Sequence, residues 1–577
     1  MSREARTVII SHGSHTIRAG LGIHEVLRQP TVNLTARVGL RRSQLEGGEN
    51  VKPADYLVGA ILDEALRTQT AEDPVTVSWP MIGGEIRDWG GMAALWYHVL
   101  FFLLPVIRSS NSSVTLLSLP PTTITRSSSA RIHKIFFDEF NTPAFCLVDS
   151  ALASSFAVGQ MMGTVVDVGA RGSTVACVMD ALMVPQSIKR CEVGLGECTA
   201  YLAGQLGRDA KVVEALSGVQ EDEEAMASTS SAPSSRQSRL LLALARELFA
   251  QGHVVADEAS AAAGGSGAGA SGDQAAEDDD GNFDVLGALT SGREKEAIAE
   301  QERRNKELVA QGKEPEPMQT AGDMAGQTIS SAAALTAENG DDGGEDDDAT
   351  IRVPFKGRNI RVPRSALSTA LTPLVDPSVL SKVAASTDLL DLLTPLGSSS
   401  SSSQRTDWSS TPSLPAAIHA SISTTLDVER RNGLWEHLIV TGAPVGLVKG
   451  LTPSLVAALQ RYVAAASAAA NGAQGAGGPA GPAGGDDDGD DGPTGTYTPN
   501  TAQSGKLAPG QPSNVRALRT PDYFSDFKER VDLAPFLGAT IYAKLVFADN
   551  QARGYVSKAG YAERGPAGAW SVMASDK

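Results

Sequence analysis

The sequence of 577 residues predicts an α/β fold made of two related halves. Three observations lead there. Residues 163–178 set two apolar, β-branched runs on either side of a turn of small residues, the pattern of strand, tight turn, strand. Residues 7–22 repeat it: an apolar run from Thr7 to Ile10 meets a turn at Gly13-Ser14 and leads into a second strand. Between the two hairpins, strand and helix patterns alternate. In the second turn Asp167, Gly169, Gly172 and Ser173 stand as Asp-x-Gly-x-x-Gly-Ser. Its glycines let the backbone approach a ligand closely and offer N–H groups, which suits a phosphate. Asp167, closing the first strand of that hairpin, is placed to hold a metal or its water. Two such turns, one from each half, suit a ligand held between them.

Composition narrows the class. The net charge is −18, but residues 273–284, 341–348 and 486–491 together hold 17 acids and no base, so the rest of the chain is close to neutral. The acidity therefore belongs to loops, and these tracts would repel nucleic-acid phosphates. The four cysteines, Cys146, Cys177, Cys191 and Cys198, form no CxxC pair and read as reduced thiols of a nuclear or cytosolic protein. Residues 1–6 run straight into a strand, which predicts no signal peptide. The most apolar stretch, 92–107, is too short to span a bilayer and contains Pro105, so it reads as a buried helix entering a turn.

In chain order, 54–66 reads as a helix and 75–79 as a strand. Asp88 is a helix N-cap for the apolar stretch. A buried strand over 114–119 is stopped by Pro120-Pro121. An amphipathic helix follows at 127–140, a strand at 146–148, and a helix of small residues at 150–158. After the second hairpin, 191–205 reads as a glycine turn opening a helix, and 239–250 as another helix. Residues 255–349 are too poor in apolar surface to fold, and the reading there is a disordered acidic insertion with one charged helix at 291–312. Folded character returns over 350–466, with a pair of short strands around Lys356-Gly357, a serine-rich loop at 398–411, and helices at 414–428 and 453–466. The strand 438–441 leads into Gly442. A second disordered insertion, rich in Gly and Asp, spans 467–513, and 514–577 is folded. Residues 1–254, 350–466 and 514–577 thus form one body.

Phe140-Asn141-Thr142-Pro143-Ala144 and the small-residue helix ending at Gly159 closely resemble actin. So does Asp88-Trp89-Gly90-Gly91-Met92, continuing through Leu95-Trp96-Tyr97-His98. With the two turns in the matching order, the chain is identified as similar to the actin family. The resemblance implies an actin-like fold, related to sugar kinases and Hsp70 chaperones, in which two α/β domains flank a nucleotide cleft. It also implies ATP-site positions at Gly13, Ser14, Arg18, Asp167, Gly169 and Gly442. Around them the family pattern is degraded. Ser11 stands where actin has the Asp that organises metal-bound water, His15 where it has a glycine, and Ala170 where it has a second carboxylate. Ser150 replaces the glutamine that positions the attacking water, and Ala443 a glycine. Phosphoryl transfer depends on positioning and charge stabilisation. Their loss implies a non-enzyme with no catalytic residue and no resident metal, whose cleft either holds ATP without turnover or is empty.

The block Thr520-Pro521-Asp522-Tyr523-Phe524 looks most like the actin-related protein 9 group of fungi. That resemblance implies a nuclear subunit of SWI/SNF-type or RSC-type chromatin remodellers. Such a subunit pairs with a second actin-related protein and clasps the helicase-SANT-associated helix of the remodelling ATPase. Phe524, Phe536 and Leu537 lie near the segment that would line the helix groove, or else belong to the core. The acidic tracts suit basic histone tails. Neither sequence-specific nucleic-acid binding nor a membrane is implied. Arg41-Arg42 and the arginines of 352–364 do not make a nuclear-localisation cluster, so nuclear entry would rest on a partner. The alternatives are a cytoplasmic actin-related protein of the dynactin type, or an active ATPase of the same superfamily, against which Ser11 and Ala170 argue.

Overall fold

The computed structural model describes residues 6–22, 28–46, 51–69, 73–218, 236–256, 350–386, 388–393, 407–425, 427–442, 446, 448–472, 514–528, 530–548 and 554–574. All of them fall in one compact unit, residues 1–265 and 348–577; a second unit, residues 266–347, contains none of them. Of the insertion read at 255–349 only Val255 and Ala256 are described, and they belong to the folded body: Val255 bridges Lys449 and Ala256 is buried. Of the insertion read at 467–513 only 467–472 are described, and they continue the helix Leu451–Gly472. The rest of both, the helix read at 291–312 and the serine run at 398–403 lie outside the described residues.

Two sheets organise the unit. The first runs in the order Val556–Ser557, Ala144–Asp149, Thr115–Leu119, Val8–His12, Thr16–Leu21, Val32–Thr35. The second runs Leu182–Met183, Ser173–Met179, Gly163–Val168, Leu438–Thr441, with Lys189–Cys191 also paired to Ser173–Met179. Each is built around one of the predicted hairpins. Val8 faces Leu21 and His12 faces Ile17 in one; Gly163 faces Val178 and Val168 faces Ser173 in the other. In each, the first hairpin strand also has a parallel neighbour, Thr115–Leu119 on Val8–Ser11 and Leu438–Thr441 on Thr164–Asp167. Parallel strands covered on both faces read as continuous apolar runs, and Thr115–Leu119 is buried at all five positions.

The core has three layers. One face of the first sheet packs Ile10, Trp96, Phe136 and Phe145. One face of the second packs Val166, Leu202, Leu244 and Trp435. The cluster between them joins Ile9 and Leu116 of the first sheet to Val165, Ala176 and Ile439 of the second, through the helices Ser150–Ala157 and Ala534–Ala548. The small residues of the first helix let the second come close. A Cβ built on Gly538 would lie 1.6 Å from the carbonyl oxygen of Ala153. Ala534–Ala548 is apolar on nearly every side because nearly every side is covered: Phe536, Leu537, Ala539 and Ala543 are all buried.

Several elements differ from their sequence reading. The helix expected over 54–66 is a 3₁₀ turn, a two-residue strand at Leu57–Val58 paired to Val38–Gly39, and a helix only from Ala60, after Gly59 at φ +59°. The stretch 92–107 is helical over Trp89–His98, widens into a π-turn at Val99–Leu103 and stops before Pro105. It is not buried throughout: Phe102 and Ile107 are 64% and 66% exposed. The helix read at 127–140 is α-helical over Arg126–Lys134, where Thr125 and Ser128 form a capping box, and ends in a π-turn at Ile135–Glu139. Asp88 caps its helix as read, accepting from Gly91 N–H. The helix read at 414–428 ends at Ser423.

Candidate functional site

The two hairpin turns face a cavity of about 90 Å³, lined by Ser14, Arg18, Ser150, Asp167, Ala170 and Arg190 among others. All six residues expected at a nucleotide site border it. Most, however, are already engaged by the chain itself. Gly13 N–H donates to the Thr16 carbonyl (2.9 Å) and Gly169 N–H to the Gly172 carbonyl (3.1 Å), so both close their own turns. The Ser14 hydroxyl accepts from Gly84 N–H at 3.1 Å. Gly442, at φ +118°, is glycine because of the strand beside it: a Cβ there would meet the Val168 carbonyl oxygen at 2.1 Å.

Arg18 is the most completely engaged. Its guanidinium donates to the backbone carbonyl of Asp532 (2.5 Å) and to the carboxylate Oδ2 (2.6 Å). The two side chains are 12% and 5% exposed. Arg530 forks onto the same carboxylate at 2.9 and 3.0 Å. Asp532 was not found by sequence reading. It stands more than five hundred residues from Arg18, and nothing in Arg530-Val531-Asp532-Leu533 marks it as part of a cleft.

The Asp167 carboxylate lines the cavity without a hydrogen bond among the described residues. Burial pushes its carboxyl up to about 6, against the opposing pull of Arg18. A raised carboxyl releases its proton reluctantly, which disfavours cation capture. No cluster of three or more His, Cys, Asp or Glu placed to hold a metal occurs among the described residues. The helix Leu195–Leu206 opens at the second turn, as the glycine pattern predicts. Its first amides are spent there: Leu195 N–H donates to Gly169 O and Gly196 N–H to Ala170 O. Arg171 turns away to Glu197 at 3.3 Å and to the Leu393 carbonyl.

Two further groups close the mouth. Arg190, on the second sheet, donates to the Gly83 carbonyl at 2.8 Å, in the turn between Met81–Ile82 and Glu85–Ile86. His15 stacks on Trp79 with ring centroids 4.6 Å apart. Burial and the fields of Arg246 and Arg37 hold its imidazole below its ordinary value, so it is neutral near pH 7. Its ring thus lies against Trp79 at the cleft edge. Beside the turn, Trp96 Nε1–H donates to Nδ1 of buried His12 at 2.9 Å, and burial lowers that imidazole to about 3.

These residues do not fit a metal–nucleoside triphosphate. Arg18, the cation that would meet phosphate, is neutralised, the Gly13 and Gly169 amides are engaged and Ser11 offers no carboxylate. The cavity is also several-fold smaller than the ~300–1,000 Å³ of ordinary ligand pockets.

Phe524, Phe536 and Leu537, left open as groove or core, are core: 8%, 4% and 0% exposed. The exposed apolar side chains nearby are different ones. Tyr542 meets Phe156 with ring centroids 5.2 Å apart, both part-buried. Beyond that pair Leu545 is 58% and Met161 67% exposed.

Residues 2–240 match the family model described as "Actin". The chain is also 29% identical, over 199 residues, to a protein of Neurospora crassa named "Actin-like protein". That stretch is 34% of this chain and 48% of the relative, so the chain spans about half the length of the curated relative it matches.

Proposed function

We propose that this chain, whose residues 2–240 match the family model described as "Actin", is an actin-related protein that serves as a non-catalytic architectural subunit of an ATP-dependent chromatin-remodelling complex of the SWI/SNF or RSC type. In this reading it works in the nucleus, pairs with a second actin-related protein, and binds the helicase-SANT-associated helix of the motor. The observation that carries the reading is the apolar surface at the shared end of Ser150–Ala157 and Ala534–Ala548. There the part-buried pair Phe156 and Tyr542 is followed along the chain by exposed Met161 and Leu545, apolar side chains that suit the apolar face of a helix. The cleft supports the same reading from the other side. Catalysis needs a positioned water and a metal-bound phosphate, and the chain supplies neither Ser11 nor Ala170 with the carboxylate required. The 9-type subclass rests on the resemblance at Thr520–Phe524, and a role for the acidic tracts in binding histones on charge alone.

The test is purification of the tagged chain from nuclear extract with its partners identified by mass spectrometry. Recovery of a remodelling ATPase and a second actin-related protein is the expected result. Recovery of dynactin-like or cytoskeletal components, or of no stable partner, overturns the chromatin reading.

A further inference from the structure

We infer that Asp532 is a built-in anion: its carboxylate takes the place at Arg18 that a ligand's phosphate oxygens would otherwise take, so the chain itself holds the cleft together. The position of Asp532 supports this as much as the ion pair does. It lies in the 3₁₀ turn Val531–Leu533, which is stitched to both sheets. Arg18, on the strand Thr16–Leu21, grips its carbonyl and its carboxylate. Thr441, ending the strand Leu438–Thr441, donates its hydroxyl to the Val531 carbonyl at 2.9 Å. The carboxylate is also pressed against the backbone of the second half, since a Cβ on Gly446 would lie 2.8 Å from Oδ1. The turn that carries this oxyanion thus joins elements of both halves, where a ligand held between two glycine turns would also join them.

The chemistry of the competing ligand follows from the donors. Arg18 and Arg530 converge on one carboxylate, Arg530 through two N–H groups and Arg18 through one, its other N–H donating to the Asp532 carbonyl. Guanidinium forks match carboxylate and phosphate oxygens equally well. An incoming polyphosphate would have to displace a tethered carboxylate whose effective concentration is far above its own. It would also have to approach Asp167 and Asp532 together, both on the cavity wall. The inference is therefore a cryptic polyphosphate subsite, open only when Asp532 is neutral or withdrawn. It does not rest on the chromatin reading, because partner capture and anion binding are read separately.

The test uses inorganic pyrophosphate as probe on the full chain, followed by thermal melting and titration calorimetry, for the native protein and Asp532→Asn. The native chain is expected to melt at the same temperature with and without millimolar pyrophosphate. Asp532→Asn is expected to melt lower and to regain stability with pyrophosphate, binding it roughly tenfold or more tightly than the native chain. The double variant Arg18→Gln/Asp532→Asn is expected to melt above the single variant and to ignore the probe, because no buried charge is left unmatched. If Asp532→Asn cannot be obtained folded, recovery of the double variant in soluble form supports the inference, and equal failure of the two overturns it. Native protein that binds pyrophosphate, or ATP with Mg²⁺, as tightly as Asp532→Asn binds pyrophosphate also overturns it.

Discussion

Arg190 on the second sheet donates to the carbonyl of Gly83 on the first half, 2.8 Å away, across the cleft mouth. The arginine reaches so far because its strand, Lys189–Cys191, lies at the margin of the hairpin that carries Asp167. Gly83 makes room for it: a Cβ there would sit 2.2 Å from Arg190 Nη2. The contact belongs to neither the predicted turns nor their glycines, yet it spans the cleft mouth.

Arg190→Ala should therefore loosen that edge. The lost hydrogen bond is worth about 1 kcal/mol, a small fall in melting temperature. The local effect is larger: amide exchange over residues 81–86 should speed up while exchange in Thr115–Leu119 stays at the native rate. Equal protection of the 81–86 turn in the variant would mean that the latch contributes nothing to closure.

Gly538→Ala should be among the most damaging single methyl additions in the chain. The new Cβ has backbone on its far side, at 1.6 Å from Ala153 O and 3.0 Å from Ala157 N, so no side-chain rotation can relieve it. The helices Ser150–Ala157 and Ala534–Ala548 would have to separate, at a cost of about 3 kcal/mol or more. Gly560→Ala is the matched control, with only Ser557 Oγ nearby at 3.4 Å. It should be neutral or stabilising by up to ~1 kcal/mol, the ordinary helix preference for alanine. Melting curves of the two variants decide the point.

Asp167 sets a pH dependence with a definite sign. Its carboxyl is raised by burial from 3.8 to about 6. The neutral form is the one the fold tolerates, so its contribution is full below pH 3.8 and is lost as pH rises through about 6. Asp167→Asn keeps that contribution at all pH values. Near pH 7.5 the variant should be more stable than the native chain by about 1–2 kcal/mol, after allowance for the side chain's partial exposure. The gain should shrink to nothing near pH 4. Denaturant unfolding at a series of pH values reads it directly, and a pH-independent difference would remove Asp167 as its source.

The hairpins and the buried parallel strands were legible because their signals are local: β-branched runs, a glycine turn, Pro120-Pro121 as a stop. The strand Leu438–Thr441 was legible as a strand but not as the neighbour of Thr164–Asp167, since pairing across that separation leaves no periodic trace. The cleft residues were found by type, and their state was not. Arg18 reads as a free cation in any local window, and its partner Asp532 is buried at the far end of the chain. Phe536 and Leu537 look the same in sequence whether they line a groove or a core. The close approach at Gly538, which buries them, depends on a carbonyl in another helix.

The same two helices supply the last prediction, on partner binding. Gly538 packs beside Ala153 and Tyr542 beside Phe156, and Leu545, one turn further on, is exposed while Val546 and Phe547 next to it stay buried. Its exposure of 58%, with 67% at Met161, means that a charged replacement at either position removes no core contact and should change stability by no more than about 0.5 kcal/mol. A partner helix seated on these side chains would instead lose a buried apolar contact and meet a desolvated charge. Leu545→Asp and Met161→Asp should each weaken binding of a helicase-SANT-associated peptide at least tenfold. Ile61→Asp, equally exposed at 53% but on the helix Ala60–Thr68, should leave it unchanged. Fluorescence anisotropy with the labelled peptide, set beside melting curves of the same variants, separates the loss of a docking contact from the loss of the fold. Native affinity in both Asp variants would place the helix elsewhere on the molecule.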